Sequence, residues 1–244
     1  MSTAPELPPP HRLLEVAIRD YPLSFPEERD QRVEAAAFPD MVSIYRGLTT
    51  GYFPPPQTEF AEEVARRVRG HPRAAVLARA SRAYPSFVRQ HHAVLVLREH
   101  FPVVAWDRWL DQLQGVDVLV VDERGLAAGV ALSTDTATAR RWQDVKEGRH
   151  AAPAIPVLAA YADAREYRVG AFWLHDPERL VARVRSVLEQ TLVQVLAELE
   201  ESADEVYRRT ERRPKCSRQD FEAGVRGALA FLKQRLLGVT VESS

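Results

Sequence analysis

Cysteine is nearly absent from this chain. Cys216 stands alone among 244 residues. That rules out an internal disulfide and any cysteine-based zinc cluster, and makes a reducing cytoplasm the expected setting. Lysine is almost as scarce: three of the 33 basic residues are lysines (Lys146, Lys215 and Lys233), so 30 are arginines. Long apolar runs are missing too. Runs such as Ala93–Leu97 and Val118–Val121 are far too short to span a bilayer. No charged n-region followed by an apolar stretch opens the chain, so a signal peptide is not expected. A glycine-rich phosphate loop, a nucleophile elbow and an HExxH metal motif are all lacking, which leaves a small-molecule enzyme without a supporting motif.

What is present describes a globular protein. Hydrophobic residues make up 45% and charged ones 27%, which argues against disorder. The length suits one domain of fair size, or a core with helical additions. A formal net charge of -1 means that the whole molecule is not a polycation. Arginine's planar fork suits bidentate contacts to phosphate or carboxylate. Codon bias in a GC-rich genome explains the same excess of arginine together with alanine.

Proline and glycine set the expected organisation. Residues 1–83 read as a helical region punctuated at Pro22, Pro26, Pro39 and Pro54–Pro56, with a further helical stretch between Thr58 and Ala83. Residues 84–176 read as an α/β core. Ser86–Phe101, between Pro85 and Pro102, is expected to be a helix, because its length outweighs the strand-like run Ala93–Leu97. Strand-like runs follow at Val103–Asp107, Val116–Val121 and Leu126–Leu132. The last two are joined by Asp122-Glu123-Arg124-Gly125, a hairpin turn with glycine where positive φ is needed. A helix over Thr136–Glu147, ended by Gly148, and strands at Ile155–Tyr161 and Tyr167–Leu174 complete the core. Residues 177–244 read as helical. Asp176-Pro177-Glu178 is a helix start that runs to about Arg209, and Ser217 with Asp220 makes a loose capping box for a last helix.

The order helix, three strands, helix, strand over residues 85–161 resembles the αβββαβ core of the PD-(D/E)xK, or restriction-endonuclease-like, superfamily. Gly115-Val116-Asp117 is similar to that family's first catalytic element, an Asp at the start of the second strand. The resemblance implies a mixed sheet, DNA as substrate, and Mg²⁺ held by two carboxylates while a lysine positions the attacking water. The third strand departs from the pattern. Where the family carries Glu-x-Lys or Asp-x-Lys, this chain has Val130 and Leu132, or Ala131 and Ser133 in the shifted register. Substitutes lie nearby: Asp135 just past the strand, Lys146 on the next helix, and Glu99 on the preceding one. A rearranged site would take Asp117, Asp135 and Lys146 as catalytic groups, with Asp117 and Asp135 as Mg²⁺ ligands. The plainer roles are a solvated carboxylate for Asp117, a helix cap for Asp135 and a solvated helix face for Lys146. A strand-start carboxylate is peripheral to packing, so Asp117→Ala is expected to leave the fold intact.

Positive charge concentrates in two places. Arg66–Arg82 contains Arg66, Arg67, Arg69, Arg73, Arg79 and Arg82 with no acid among them. Arg208–Arg218 contains five arginines and Lys215 against Glu211. Such clusters suit phosphate contact, and Arg140, Arg141 and Arg149 would join Arg66, Arg67, Arg69 and Arg73 on a nucleic-acid surface. The alternative is solvated surface that offsets acidic neighbours. His91 and His92 are adjacent on one helix, about 100° apart, and do not form a ligand pair. Finally, Val181, Val184, Leu188, Leu192, Val195, Leu199 and Val206 recur at helical spacing. That stripe outruns one small sheet, and is expected to be covered by the last helix or by a second subunit in a homodimer. The chain therefore has two expected functions: a Mg²⁺-dependent DNA endonuclease with a rearranged site, or an inactive binding or regulatory protein on the same fold that holds nucleic acid or a protein.

Overall fold

Proline inside a helix normally breaks it, because the ring removes one N–H and crowds the carbonyl four residues back. Pro85 does not break this one. In the computed structural model, which describes residues 7–26, 38–106, 116–137, 139–141, 155–163 and 165–210, a single helix runs from Arg73 to Arg98 with Pro85 in its interior. The carbonyl that Pro85 leaves without its helical donor belongs to Ser81. Gln57 Nε2 donates to it at 2.9 Å. The same buried glutamine accepts from Ser24 N–H at 2.9 Å through Oε1. The division expected at residues 83 and 84 thus falls in the middle of a continuous element.

Eleven labelled elements precede or follow this long helix, or are it. They are α1 (Pro10–Ile18), α2 (Met41–Leu48), α3 (Gln57–Arg67), α4 (Arg73–Arg98), β1 (Val103–Ala105), β2 (Val118–Val121), β3 (Ala127–Thr134), β4 (Val157–Ala162), β5 (Arg168–Val169), β6 (Phe172–Trp173) and α5 (Pro177–Thr210). A short helical turn at 137 and 139–141 lies between β3 and β4. The class is α/β with a mixed sheet. β1, β2, β3 and β4 lie side by side in that order. β1–β2 and β2–β3 are antiparallel, while β3–β4 is parallel.

Local sequence accounts for most of these elements. The β2–β3 turn forms as expected: Asp122 Oδ1 accepts from Arg124 N–H and Leu126 N–H, both at 2.9 Å, and Gly125 takes φ +83°. Asp176 caps α5 by accepting from Arg179 N–H at 2.8 Å. The strand expected over Tyr167–Leu174 is instead a tight hairpin, β5–β6, turning through Gly170. A Cβ on Gly170 would lie 2.1 Å from Arg19 O, so this glycine lets the hairpin close directly on the end of α1. On the turn after β3, Thr136 Oγ1 rather than Asp135 accepts from Ala139 N–H, at 3.1 Å.

α4 is buried on nearly all sides, as expected of a helix at the centre of a core. One continuous apolar cluster joins Leu14 and Ile18 of α1, Phe60 and Val64 of α3, Val88 and Val94–Leu97 of α4, the inner faces of β2–β4, and Leu180, Val184 and Leu188 of α5. Leu192 is also buried, whereas Val193 is exposed. The remaining stripe residues, Val195, Leu199 and Val206, and the expected last helix have no described side chains. Among the described residues no helix is long and apolar enough to cross a membrane.

Candidate functional site

Asp117 stands where the sequence placed it, immediately before β2, but its surroundings are not those of a free ligand. Its Oδ2 accepts from Leu132 N–H at 2.6 Å, and its Oδ1 accepts from Gln90 Nε2 at 2.9 Å. Its own N–H donates to Val130 O at 3.0 Å. The carboxylate thereby continues the β2–β3 ladder past the end of β2 and ties it to α4. Gln90 is held in turn by Trp106, whose Nε1–H donates to Gln90 Oε1 at 3.2 Å. The Asp117 field also reaches buried Arg89. Loss of solvation lowers that guanidinium to about 10, against the opposing pull of Asp117. Asp117 is therefore a packed, hydrogen-bonded residue, which corrects the expectation that it is peripheral.

Asp135 does not join it. The Asp117 carboxylate sits at Leu132, and Asp135 follows three residues later, about 10 Å along an extended chain. Asp135 turns instead to Arg140, whose Nε and Nη2 lie 2.7 and 2.6 Å from Oδ1. Magnesium needs its carboxylate oxygens within about 2.1 Å of one point. Glu99 is engaged elsewhere, 2.8 Å from His11 Nδ1. Lys146 and Arg149 lie outside the described residues. Among the described residues no group of three or more His, Cys, Asp or Glu is placed to hold a metal ion.

The arginines divide into two sets. Arg66 and Arg67 both pair with Glu63 at 2.7 Å, and Arg73 pairs with Glu62. Glu63 lies one turn before Arg66 and Arg67 on the same helix, where the i,i+3 and i,i+4 rule finds it, whereas the Glu62–Arg73 pair crosses from α3 to α4. Arg79 lies 4.9 Å over the ring of Phe38. Arg69 is exposed at the α3–α4 turn. The second set flanks the carboxyl end of β3. Arg140 stacks over Tyr161 at 5.3 Å, and Arg141 beside it is exposed.

The polar cluster that sequence reasoning missed lies on the other side of α4. Glu15 of α1 is buried, and its Oε1 accepts from His92 Nε2–H at 2.9 Å and Tyr167 O–H at 2.7 Å. Its Oε2 accepts from Arg12 Nη1 at 2.8 Å. Burial opposes ionisation of Glu15, but the bonds from His92, Tyr167 and Arg12 outweigh it and hold the carboxyl down at about 2. Burial and the same carboxylate push the Tyr167 phenol up to about 12. His91, one residue from His92, faces away toward Tyr45 and Trp106, stacking on the latter. Burial lowers His91 to about 4 and His175 to about 3, and lowers His92 despite its carboxylate partner. Spacing could have shown that His11 and Glu15 share a helix face. It could not have supplied a partner 77 residues away.

Comparisons of the chain with family models, curated proteins and solved structures found no match. Its chemistry therefore rests on its own residues. They present an engaged acid at β2, a paired acid and arginine at the end of β3, and a buried histidine–carboxylate network under α1.

Proposed function

We propose that this chain is a nuclease-like protein that holds nucleic acid without hydrolysing it. The observation that carries the proposal is the double engagement of Asp117, by Leu132 N–H and by Gln90. A carboxylate that completes a strand ladder is a structural group, and β3 offers only Val130, Ala131, Leu132 and Ser133 where a second acid and a lysine would stand. The helix–strand–strand–strand–turn–strand order supports the restriction-endonuclease-like frame. Support for nucleic acid comes from the edge of that frame where β3 ends. There Asp135 orients Arg140 across the face of Tyr161, and Arg141 is exposed next to it. A guanidinium fixed over an aromatic ring offers both a phosphate contact and a stacking surface. Arg66 and Arg67 of α3 and Arg73 of α4 contribute less, because Glu63 offsets the first two and Glu62 the third.

The test is fluorescence anisotropy of labelled duplex and single-stranded DNA and RNA, in EDTA and in Mg²⁺, with the strands then resolved on a denaturing gel. Binding without metal and intact strands in Mg²⁺ are expected. Arg140→Gln and Arg141→Gln should each flatten the salt dependence by about 0.9 in log–log slope on a duplex. Cleavage abolished by Asp117→Asn or Asp135→Asn would establish the hydrolase with Asp117, Asp135 and Lys146 instead. Absence of binding at low salt to any strand type would end the nucleic-acid assignment.

A further inference from the structure

His92 is fully buried, and its hydrogen-bonding state follows from its partner. A carboxylate can only accept, so the ring must donate from Nε2 to Glu15 Oε1, 2.9 Å away. In the neutral ring the bare nitrogen is then Nδ1. That atom is buried and has no hydrogen-bond partner. A second proton on His92 would place an N–H there with nothing to receive it. The groups that face the ring make matters worse. From α1 come Arg12 and His11, the latter edge-on at 5.8 Å. From the segment before β5 comes Tyr167, tilted over the ring at 6.0 Å. His175 lies beyond, itself buried with Nε2 unpartnered, and feels Arg89 and Arg183 as well as His92. Glu15 is the acid that touches the ring, and three donors already share it.

The element that covers His92 is small. α1 has nine residues, too few to be stable alone, and it is fixed by Leu14, Ile18 and these polar contacts. The β5–β6 hairpin closes on its carboxyl end at Arg19 O. We propose that α1 is an acid-sensitive clasp: a proton reaches His92 Nδ1 only when α1 lifts from α4, so mild acid favours the lifted form while the rest of the core stays closed. The proton enters the open state at an ordinary histidine and is refused by the closed one. The linkage sign follows: the open fraction rises as pH falls below about 6.5, by up to tenfold per pH unit for one proton. Glu15 does not contribute in this window, because it stays ionised there in both states. His11 Nδ1 lies 2.8 Å from Glu99 Oε1.

Amide hydrogen exchange on the full chain at pH 7.0, 6.0 and 5.0, corrected for intrinsic rates, tests this. Protection of residues 11–18 should fall about tenfold between pH 6 and 5 and stay below that of Val94–Leu97 of α4 and of β3, which open only in global unfolding. His92→Gln keeps an amide donor for Glu15 and cannot titrate, so it should remove the pH dependence. An unaltered pH response in His92→Gln, or equal protection in every element, would overturn the clasp. If that variant fails to fold, nitrogen-detected NMR of the wild-type imidazole decides. The neutral Nε2–H tautomer at pH 6 is expected, and an Nδ1–H tautomer or a charged ring at pH 7 refutes it.

Discussion

Gln57→Leu probes the joint that lets α4 pass through Pro85. Gln57 is 3% exposed, and leucine fills nearly the same space without its two polar ends. Two groups then lose a partner. Ser24 N–H lies at an exposed residue, where water replaces Oε1 at little cost. Ser81 O is at a buried residue and loses Nε2, which costs about 1–3 kcal/mol. Added apolar burial offsets part of this, so a net loss of about 2 kcal/mol is expected. Pro85→Ala supplies an N–H at position 85, four residues after Ser81, and so offers that carbonyl its missing helical donor. In the Pro85→Ala background the cost of Gln57→Leu should therefore drop by about 1 kcal/mol. The two sites share one carbonyl, so non-additivity is the signature sought. Urea unfolding of the wild type, both single variants and the double variant, followed by fluorescence and far-UV circular dichroism, gives the coupling. An equal cost of Gln57→Leu in both backgrounds would refute the assignment of Ser81 O as the carbonyl freed by Pro85.

Asp117→Ala should destabilise the fold by about 2 kcal/mol in the same unfolding assay, because it leaves Leu132 N–H and the Gln90 amide without their acceptor; a change below 0.5 kcal/mol would make the carboxylate dispensable. Gly129→Ala should cost about 1–3 kcal/mol, since its Cβ would meet Val116 Cγ2 at 2.7 Å and Val157 Cγ2 at 3.3 Å. Val116→Ala should relieve most of that loss in a thermal-melt series. Global stability should fall as pH drops from 6.5 toward 4, because His91, His92 and His175 are held neutral in the fold and take protons on unfolding. Each contributes up to about 1.4 kcal/mol per pH unit in that window, so a flat urea midpoint between pH 6.5 and 4.5 would contradict their burial as neutral rings.

What the sequence made legible was local. Asp176-Pro177 predicts the start of α5 because a cap and a first-turn proline act within four residues, and Asp122 with Gly125 predicts the β2–β3 turn for the same reason. The helix over Ala93–Leu97 was likewise decided by segment length against β propensity. Pro85 marks where such reasoning fails. Its effect on α4 depends on Gln57, which lies 24 residues from the carbonyl it serves. Asp117 fails in the same way: its position before β2 was legible, but Gln90 lies 27 residues away and determines what the carboxylate does. The acid partner of the α3 arginines, by contrast, was legible from spacing alone. Glu63 lies within helical reach of Arg66 and Arg67, so that pairing was available to the i,i+3 and i,i+4 rule, whereas Glu62 reaches Arg73 across the α3–α4 turn.

The four consecutive residues Arg89, Gln90, His91 and His92 anchor α4 on four sides. Successive helical residues point about 100° apart, so four in a row sweep almost the whole circumference. On α4 each meets a different element. Arg89 Nε–H donates to Trp173 O of β6 at 2.8 Å, Gln90 donates to Asp117 before β2, His91 faces Tyr45 of α2, and His92 donates to Glu15 of α1. A purely apolar helix at the same place would pack against these elements with little preference for rotation. Polar groups that each require one partner fix the rotation of α4, because any other setting buries several unpaired donors at once. The same arrangement separates two chemistries across the helix. Asp117 on one side accepts from Leu132 N–H and Gln90 and ties the sheet to the helix. His92 on the other keeps a buried, unpartnered Nδ1, which a proton can reach only if α1 moves.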